Sequence, residues 1–193
     1  MDLTPVVLEG ATVRLEPLGP HHLDGLAAVA FDPDLWSLTT SRMEQGGDLE
    51  EYVNVALSEQ RAGTALPFAT VLRATDAVVG STRFGNAVPP HRRVEIGWTW
   101  VARPWQRSGV NREAKLLMLR HAFDRWGCLR VEFKTSALNN RSRAALRGIG
   151  AIEEGVLRHH MINPDGSLRD SVYYSILAEE WPAARRRLEE RRT

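Results

Sequence analysis

The stretch from Val94 to Trp126 constrains this chain more than any other part of it. A β-rich run, Val94–Val101, passes through Arg103-Pro104-Trp105 into a short loop, Gln106-Arg107-Ser108-Gly109-Val110-Asn111, and directly into a helical pattern over Arg112–Trp126. Strand side chains alternate, so Val94, Ile96, Trp98 and Trp100 are expected on one face and Glu95, Gly97, Thr99 and Val101 on the other, with the more apolar face toward the core. In the helical pattern Leu116, Leu119, Phe123 and Trp126 form one stripe, and Gly127 supplies a stop.

A loop that opens a helix in this way is an anion site. The first amides of a helix have no partner within it and its dipole is positive there, so phosphate oxygens are favoured at that end. Gly109 lets a ligand approach the backbone closely, and Arg107 and Arg112 add local positive charge. A strand-to-helix turn with solvated arginines is the plain alternative. Neither Gly-x-Gly-x-x-Gly nor Gly-x-x-x-x-Gly-Lys-Ser/Thr occurs, which argues against dinucleotide and nucleoside-triphosphate sites of those types.

The remaining chain supplies a sheet and helices around this unit. Ala11–Leu18 reads as a strand, His21–Phe31 and Asp48–Arg61 as helices, and Phe68–Arg73 with Val78–Phe84 as an antiparallel pair. Arg130–Ser136 is a further strand. Asn139 or Asn140 caps a short helix through Ile149, and Ile152–Ile162 and Val172–Leu177 form a hairpin around Asn163-Pro164-Asp165-Gly166. Glu179–Arg192 reads as a polar helix. No repeat or linker divides the chain, so residues 1–193 are expected to form a single domain of the α+β class.

Bulk properties narrow the partners. Twenty-five Lys and Arg against 24 Asp and Glu leave a formal charge of +1, which supplies no global field toward nucleic acid or membrane. The single cysteine, Cys128, cannot form an internal disulfide, Met1–Gly10 lacks the sections of a signal peptide, and no apolar run approaches the roughly 20 residues of a membrane span. A soluble, cytoplasmic protein is expected.

Gln106-Arg107-Ser108-Gly109-Val110-Asn111 resembles the fingerprint of the GNAT superfamily of N-acetyltransferases, Gln/Arg-x-x-Gly-x-Gly/Ala, with Asn111 departing from it at the last position. The resemblance extends to Glu95-Ile96-Gly97-Trp98, Asn139-x-x-Ser142, Gly150, Arg169-Asp170 leading into Val172–Ile176, and Glu180-Trp181. It covers Leu8 to Trp181 and is most like the ribosomal-protein N-terminal (RimJ/RimL-type) branch. It implies a mixed, mostly antiparallel sheet of about seven strands with helices on both faces, splayed between its fourth and fifth strands. The element order read above is the same.

The resemblance also implies roles. Acetyl-CoA would be the acyl donor, its pyrophosphate held by the loop from Gln106 through Arg107, Ser108, Gly109, Val110 and Asn111 to Arg112, and its pantetheine by the Val101 backbone and Asn139. Asn139 is equally readable as a plain helix cap. Glu95 would remove the proton of an acceptor ammonium, directly or through water, the alternative being an exposed carboxylate or an ion pair with Arg92 or Arg93. A backbone amide on the same strand would meet the oxyanion. Relatives often place a tyrosine where this chain has Leu146. Ser142 is then the nearest donor to the leaving sulfur, unless it is only a first-turn helix residue.

Tyr173 and Tyr174 point to opposite faces, and only one can line the cleft. His159-His160 lacks a completing ligand set, so no metal is expected. Trp36, Trp98, Trp100 and Trp105 read as core more readily than as a pocket wall, and Arg185-Arg186-Arg187 with Arg191-Arg192 as a solvated helix face. The acceptor side is assigned to Leu35–Gln60 and the final hairpin, where Glu44, Asp48, Glu50 and Glu51 are the acids. The acceptor is an amine, either a protein N-terminus or a small molecule such as an aminoglycoside, polyamine or amino acid. A non-catalytic acyl-CoA sensor is the other reading. Nucleic acid and membrane are not expected as partners, and a homodimer is compatible with the sequence.

Overall fold

A computed structural model describes residues 1–190. Eight strands form one sheet in the order β1-β2-β3-β4-β5-β6-β8-β7. They are β1 (Leu8–Glu9), β2 (Val13–Pro17), β3 (Leu66–Leu72), β4 (Val78–Val88), β5 (Arg93–Val101), β6 (Arg130–Ser136), β7 (Ile152–Ile162) and β8 (Leu168–Leu177). The strand beyond the expected seven is the two-residue β1, too short to show alternation in sequence. The helices are α1 (Leu23–Ala30), α2 (Gly46–Arg61), α3 (Val110–Arg120, continued by a π-turn over His121–Arg125), α4 (Asn140–Gly148) and α5 (Trp181–Glu190). Arg191 and Arg192, assigned above to the terminal basic face, lie outside the described residues.

The sheet is covered on both faces. One core gathers Leu66, Phe68 and Leu72 of β3 with Leu116 and Leu119 of α3, Leu146 of α4 and Leu188 of α5. The other gathers Ala69 and Val71 of β3 with Leu26 of α1 and Leu49 and Val53 of α2. β3 therefore sends alternate side chains to opposite cores, which is why it reads as one continuous apolar run.

β5 departs from the expected alternation. Its pairing with β4 runs Ser81↔Trp100 and then Arg83↔Gly97, so Trp98 and Thr99 together oppose Thr82. Trp98 takes a left-handed φ of 49° at this bulge. Val94 and Ile96 consequently face the α3 core, whereas Trp100 faces the α1–α2 core. The single face expected for Val94, Ile96, Trp98 and Trp100 is thus divided by one extra residue.

All neighbouring strands are antiparallel except β5 and β6, which pair only at Arg93↔Arg130, Val94↔Val131 and Glu95↔Glu132. Beyond Glu95 the two strands separate. This is the expected splay, between the fifth and sixth strands once β1 is counted.

Candidate active site

The splay is flanked by the start of α3 on one strand and the start of α4 on the other. Gly109 is the N-cap of α3 with φ 91° and ψ −17°, a conformation glycine adopts without a Cβ penalty. Arg107 is also left-handed, with φ 64°. The N–H groups of residues 107–111 find no acceptor among the described residues. Asn111 adds a buried side-chain oxygen with no partner. A row of free donors on an exposed loop at a positive helix end fits a pyrophosphate.

Other loop residues brace this arrangement. Gln106 donates from Nε2 to the Val101 carbonyl at 3.0 Å, and its Oε1 accepts from Arg141 Nη1 at 2.9 Å, so it ties β5 to α4 across the splay. Ser108 Oγ donates to the Trp105 carbonyl at 2.6 Å. Arg112 donates to the Arg187 carbonyl at 3.1 Å, anchoring α3 to α5. On the α4 side, Asn139 Oδ1 accepts the Ser142 N–H at 2.9 Å, so the capping role of Asn139 is satisfied. Ser142 is half-buried in the first turn of α4.

Glu95 sits where the strands part. It is 3% exposed, and its Oε2 accepts from Asn86 Nδ2 at 2.8 Å and faces Lys134 Nζ at 3.7 Å. The alternative partners Arg92 and Arg93 are engaged elsewhere: Arg93 pairs with Glu132 at 3.0 Å, and Arg92 donates to the Gly127 carbonyl. Those side chains are drawn to the paired end of the strands, whereas Asn86 and Lys134 approach across the sheet. The other carboxylate oxygen, Oε1, leans over Gly97, where a Cβ would lie 3.0 Å away. The missing side chain at Gly97 leaves room for that oxygen.

An open cleft of about 590 Å³ surrounds Glu95, lined by Thr64, Asn86, Val88, Arg93, Glu132 and Tyr173 among others. Of the two tyrosines, Tyr173 therefore lines the cleft. Burial and the neighbouring Glu95 and Glu132 push its pKa up. Tyr174 faces the opposite core, fully buried, with its hydroxyl donating to Glu153 Oε2 at 2.7 Å.

Several polar groups here were not singled out from sequence. Lys115 is buried on α3 and donates to Thr99 Oγ1 at 2.7 Å, beside the Thr82 hydroxyl, directly behind the β5 bulge. Burial pulls its pKa down to about 7. Arg83 is buried between the Tyr52 and Trp98 rings and pairs with Glu59. Tyr52 donates to the Trp98 carbonyl at 3.1 Å, fixing the bulge from the α2 side. A lone lysine in a helical pattern gives no sign of burial; only the bulge explains why Lys115 finds hydroxyl partners.

The remaining candidates separate as follows. Trp36 and Trp100 are core, Trp98 covers Gly85, and Trp105 is exposed. Asp48 is spent on capping α2, accepting from the N–H groups of Glu44 and Gln45 at 2.7 and 3.0 Å. His159 and His160 are not brought together with carboxylates as a ligand group. Glu16, His21 and His22 are, with ligand atoms within 4.8 Å. There His22 Nδ1 accepts from Gly19 N–H at 3.2 Å, leaving Nε2 to donate to Glu16 at 3.0 Å, a closed hydrogen-bond set far along the chain from the splay.

Residues 12–152 match the acetyltransferase (GNAT) domain family. The chain belongs to the GNAT acetyltransferases. Members of the family draw the acetyl group from acetyl-CoA. A crystal structure of a T. thermophilus protein with an acetyltransferase name is 36% identical, covers 100% of both chains and superposes with a TM-score of 0.90. Mycobacterium smegmatis RimJ, solved in complex with CoA-disulfide, is 28% identical, with a TM-score of 0.78 over 96% of this chain and 91% of that one. The Bacillus subtilis (strain 168) protein named "Putative ribosomal N-acetyltransferase YdaF" is 31% identical over 54% of this chain, a match spanning 56% of that relative's length. These relatives place this GNAT chain in the RimJ-like branch. No helix among its described residues is long and apolar enough to cross a membrane.

Proposed function

We propose that this GNAT protein transfers an acetyl group from acetyl-CoA to the N-terminal amine of a polypeptide by direct attack, with Glu95 as the base. The observation that carries the reading is the Glu95 carboxylate: buried, fixed through Oε2 by Asn86 and Lys134, and presenting Oε1 over Gly97 at the parting of β5 and β6. The ribosomal N-acetyltransferase name of one relative supports the choice of a protein acceptor.

Acetyl-CoA supplies the acyl carbon already activated as a thioester. An α-amine has a pKa near 8 and is largely protonated at neutral pH, so it must lose a proton before it attacks. Glu95 Oε1 takes that proton, directly or through one water, while the N–C bond forms and the C–S bond breaks. The backbone amides at the Trp98 bulge are fixed dipoles in a partly dry cleft, suited to the developing oxyanion. Leu146 offers no proton to the leaving sulfur. The Ser142 hydroxyl is the nearest donor, and a thiolate with a pKa near 8.5 needs little help. Tyr173 keeps its proton beside Glu95 and can hold a bridging water.

The test is thiol release from acetyl-CoA with a panel of peptides and small amines. Glu95→Gln should lower turnover by about 10²-fold or more while coenzyme affinity changes little, with the deficit steepest below the amine's pKa. Unchanged turnover across pH removes Glu95 from the mechanism. Coenzyme binding without release to any acceptor would instead indicate an acyl-CoA sensor, and release only with small amines would move the acceptor class.

A further inference from the structure

The face of β8 that carries the cleft residue Tyr173 also carries Ser171 and Arg169 at successive alternate positions. Arg169 is 8% exposed, and its one hydrogen bond runs from Nη1 to the Leu38 carbonyl at 3.1 Å. Its Nε is buried without a partner, and no carboxylate among the described residues pairs with it. Arg83, more buried still and likewise with an unpartnered Nε, has a counter-charge in Glu59, which Arg169 lacks. A guanidinium removed from water without a counter-charge is costly, and burial does hold the Arg169 pKa below its ordinary value.

The neighbours repeat the pattern. Ser171 is fully buried with an unpartnered hydroxyl. His160, whose ring stands edge-on to Tyr173 at 5.7 Å, has an unpartnered, buried Nδ1. The adjacent carboxylate, Asp170, lies on the other side of the strand and accepts the His159 N–H at 2.7 Å. A cation without a counter-charge, and a hydroxyl and an imidazole nitrogen without partners, are groups suited to an anion. Leu38 belongs to the segment between α1 and α2, so Arg169 ties β8 to that segment.

We propose that Arg169, with Ser171 and His160 beside it, binds a carboxylate of the acceptor, making peptides with an acidic residue just after the N-terminus the preferred substrates. This rests on the reading of the Glu95 cleft as the place of the acceptor amine. Strand register sets Glu95 level with Ser175, six residues along β8 from Arg169 and two strands across, roughly 22 Å between backbones, of which the Glu95 and Arg169 side chains span about half. An extended peptide with an acidic side chain covers the remainder over about three residues. The carboxylate is therefore that of the second or third residue, and a free α-amino acid is too short to reach.

The experiment compares peptides that differ only by Glu or Gln at the second or third residue, with free amino acids as a further arm. Wild-type kcat/KM should favour the Glu peptide by about tenfold or more, chiefly through KM, because a buried charge-assisted hydrogen bond is at stake. In Arg169→Met the Glu-to-Gln ratio should fall close to one, with Arg169→Lys recovering part of it. Equal wild-type values for the two peptides overturn the proposal, as does a preference that survives Arg169→Met or free amino acids outperforming both peptides. Binding gives a readout that needs no turnover and no variant. The Arg169 Nε–H resonance of the wild-type protein should shift on adding the Glu peptide and stay in place with the Gln peptide. If no acceptor is acetylated, that shift still upholds the carboxylate site while the transfer reading fails, and its absence overturns the site.

Discussion

At Gly109 the backbone, not the space around it, sets what is tolerated. A Cβ there would meet nothing within 4 Å, but φ is +91°. An L-residue in the left-handed region costs about 1–2 kcal/mol. Gly109→Ala should therefore lower stability by about 1 kcal/mol and weaken coenzyme A binding severalfold, since relaxing φ turns the free amides of residues 107–111 away from one another. Calorimetric titration with coenzyme A beside a thermal melt checks both. Intact affinity would mean that the loop does not hold the pyrophosphate. Gly97 works differently, by leaving room for the Glu95 carboxylate.

Among the elements, β5 shows what a sequence pattern conveys and what it hides. Its position, its lead into α3 and the Gln106–Asn111 loop were all legible, because each rests on local periodicity and on a helix start. The bulge at Trp98 was not, because one extra residue leaves the alternation of residue types in Val94–Val101 unchanged while reversing the face taken by the side chains beyond it. The burial of Lys115 depends on the same feature. Its amine reaches Thr99 only because the bulge turns that hydroxyl toward α3. With a pKa of about 7 in the folded chain against an ordinary 10.5, Lys115 is neutral between those values when folded and protonated when unfolded. The unfolded chain binds the extra proton there, so this group makes folding more favourable as pH rises from about 7 toward 10.5, and below about 7 that gain is absent. Denaturant unfolding of wild type and Lys115→Met across about pH 7 to 10 should show a rise in wild-type stability that flattens in the variant. Parallel pH profiles would mean that Lys115 is not desolvated.

For the whole molecule, Glu113 joins the N-terminal turn to the helix that opens the candidate site. Its carboxylate accepts the N–H groups of Ala11, Thr12 and Val13 at 2.8, 2.7 and 2.9 Å, closing the β1–β2 turn onto the first turn of α3. Nothing in the sequence pairs residues 102 positions apart, and no local pattern marks Glu113. That is the general limit for this chain: element order and the loop follow from neighbours in sequence, whereas Glu113, Arg83, Lys115 and Arg169 acquire meaning only from what the sheet brings beside them. Glu113→Ala would leave those three N–H groups, of which only that of Val13 belongs to a buried residue, without this acceptor, each costing about 1–3 kcal/mol if water cannot enter. Because the turn lies near the surface, partial hydration should limit the total to about 2–4 kcal/mol. The first turn of α3 should loosen with it, so the melting temperature and coenzyme A affinity should fall together, with Glu113→Gln recovering part of both. A variant that melts earlier yet binds coenzyme A as wild type would show that the loop is organised by Gly109 and Gln106 alone, without the clasp from the N-terminal turn.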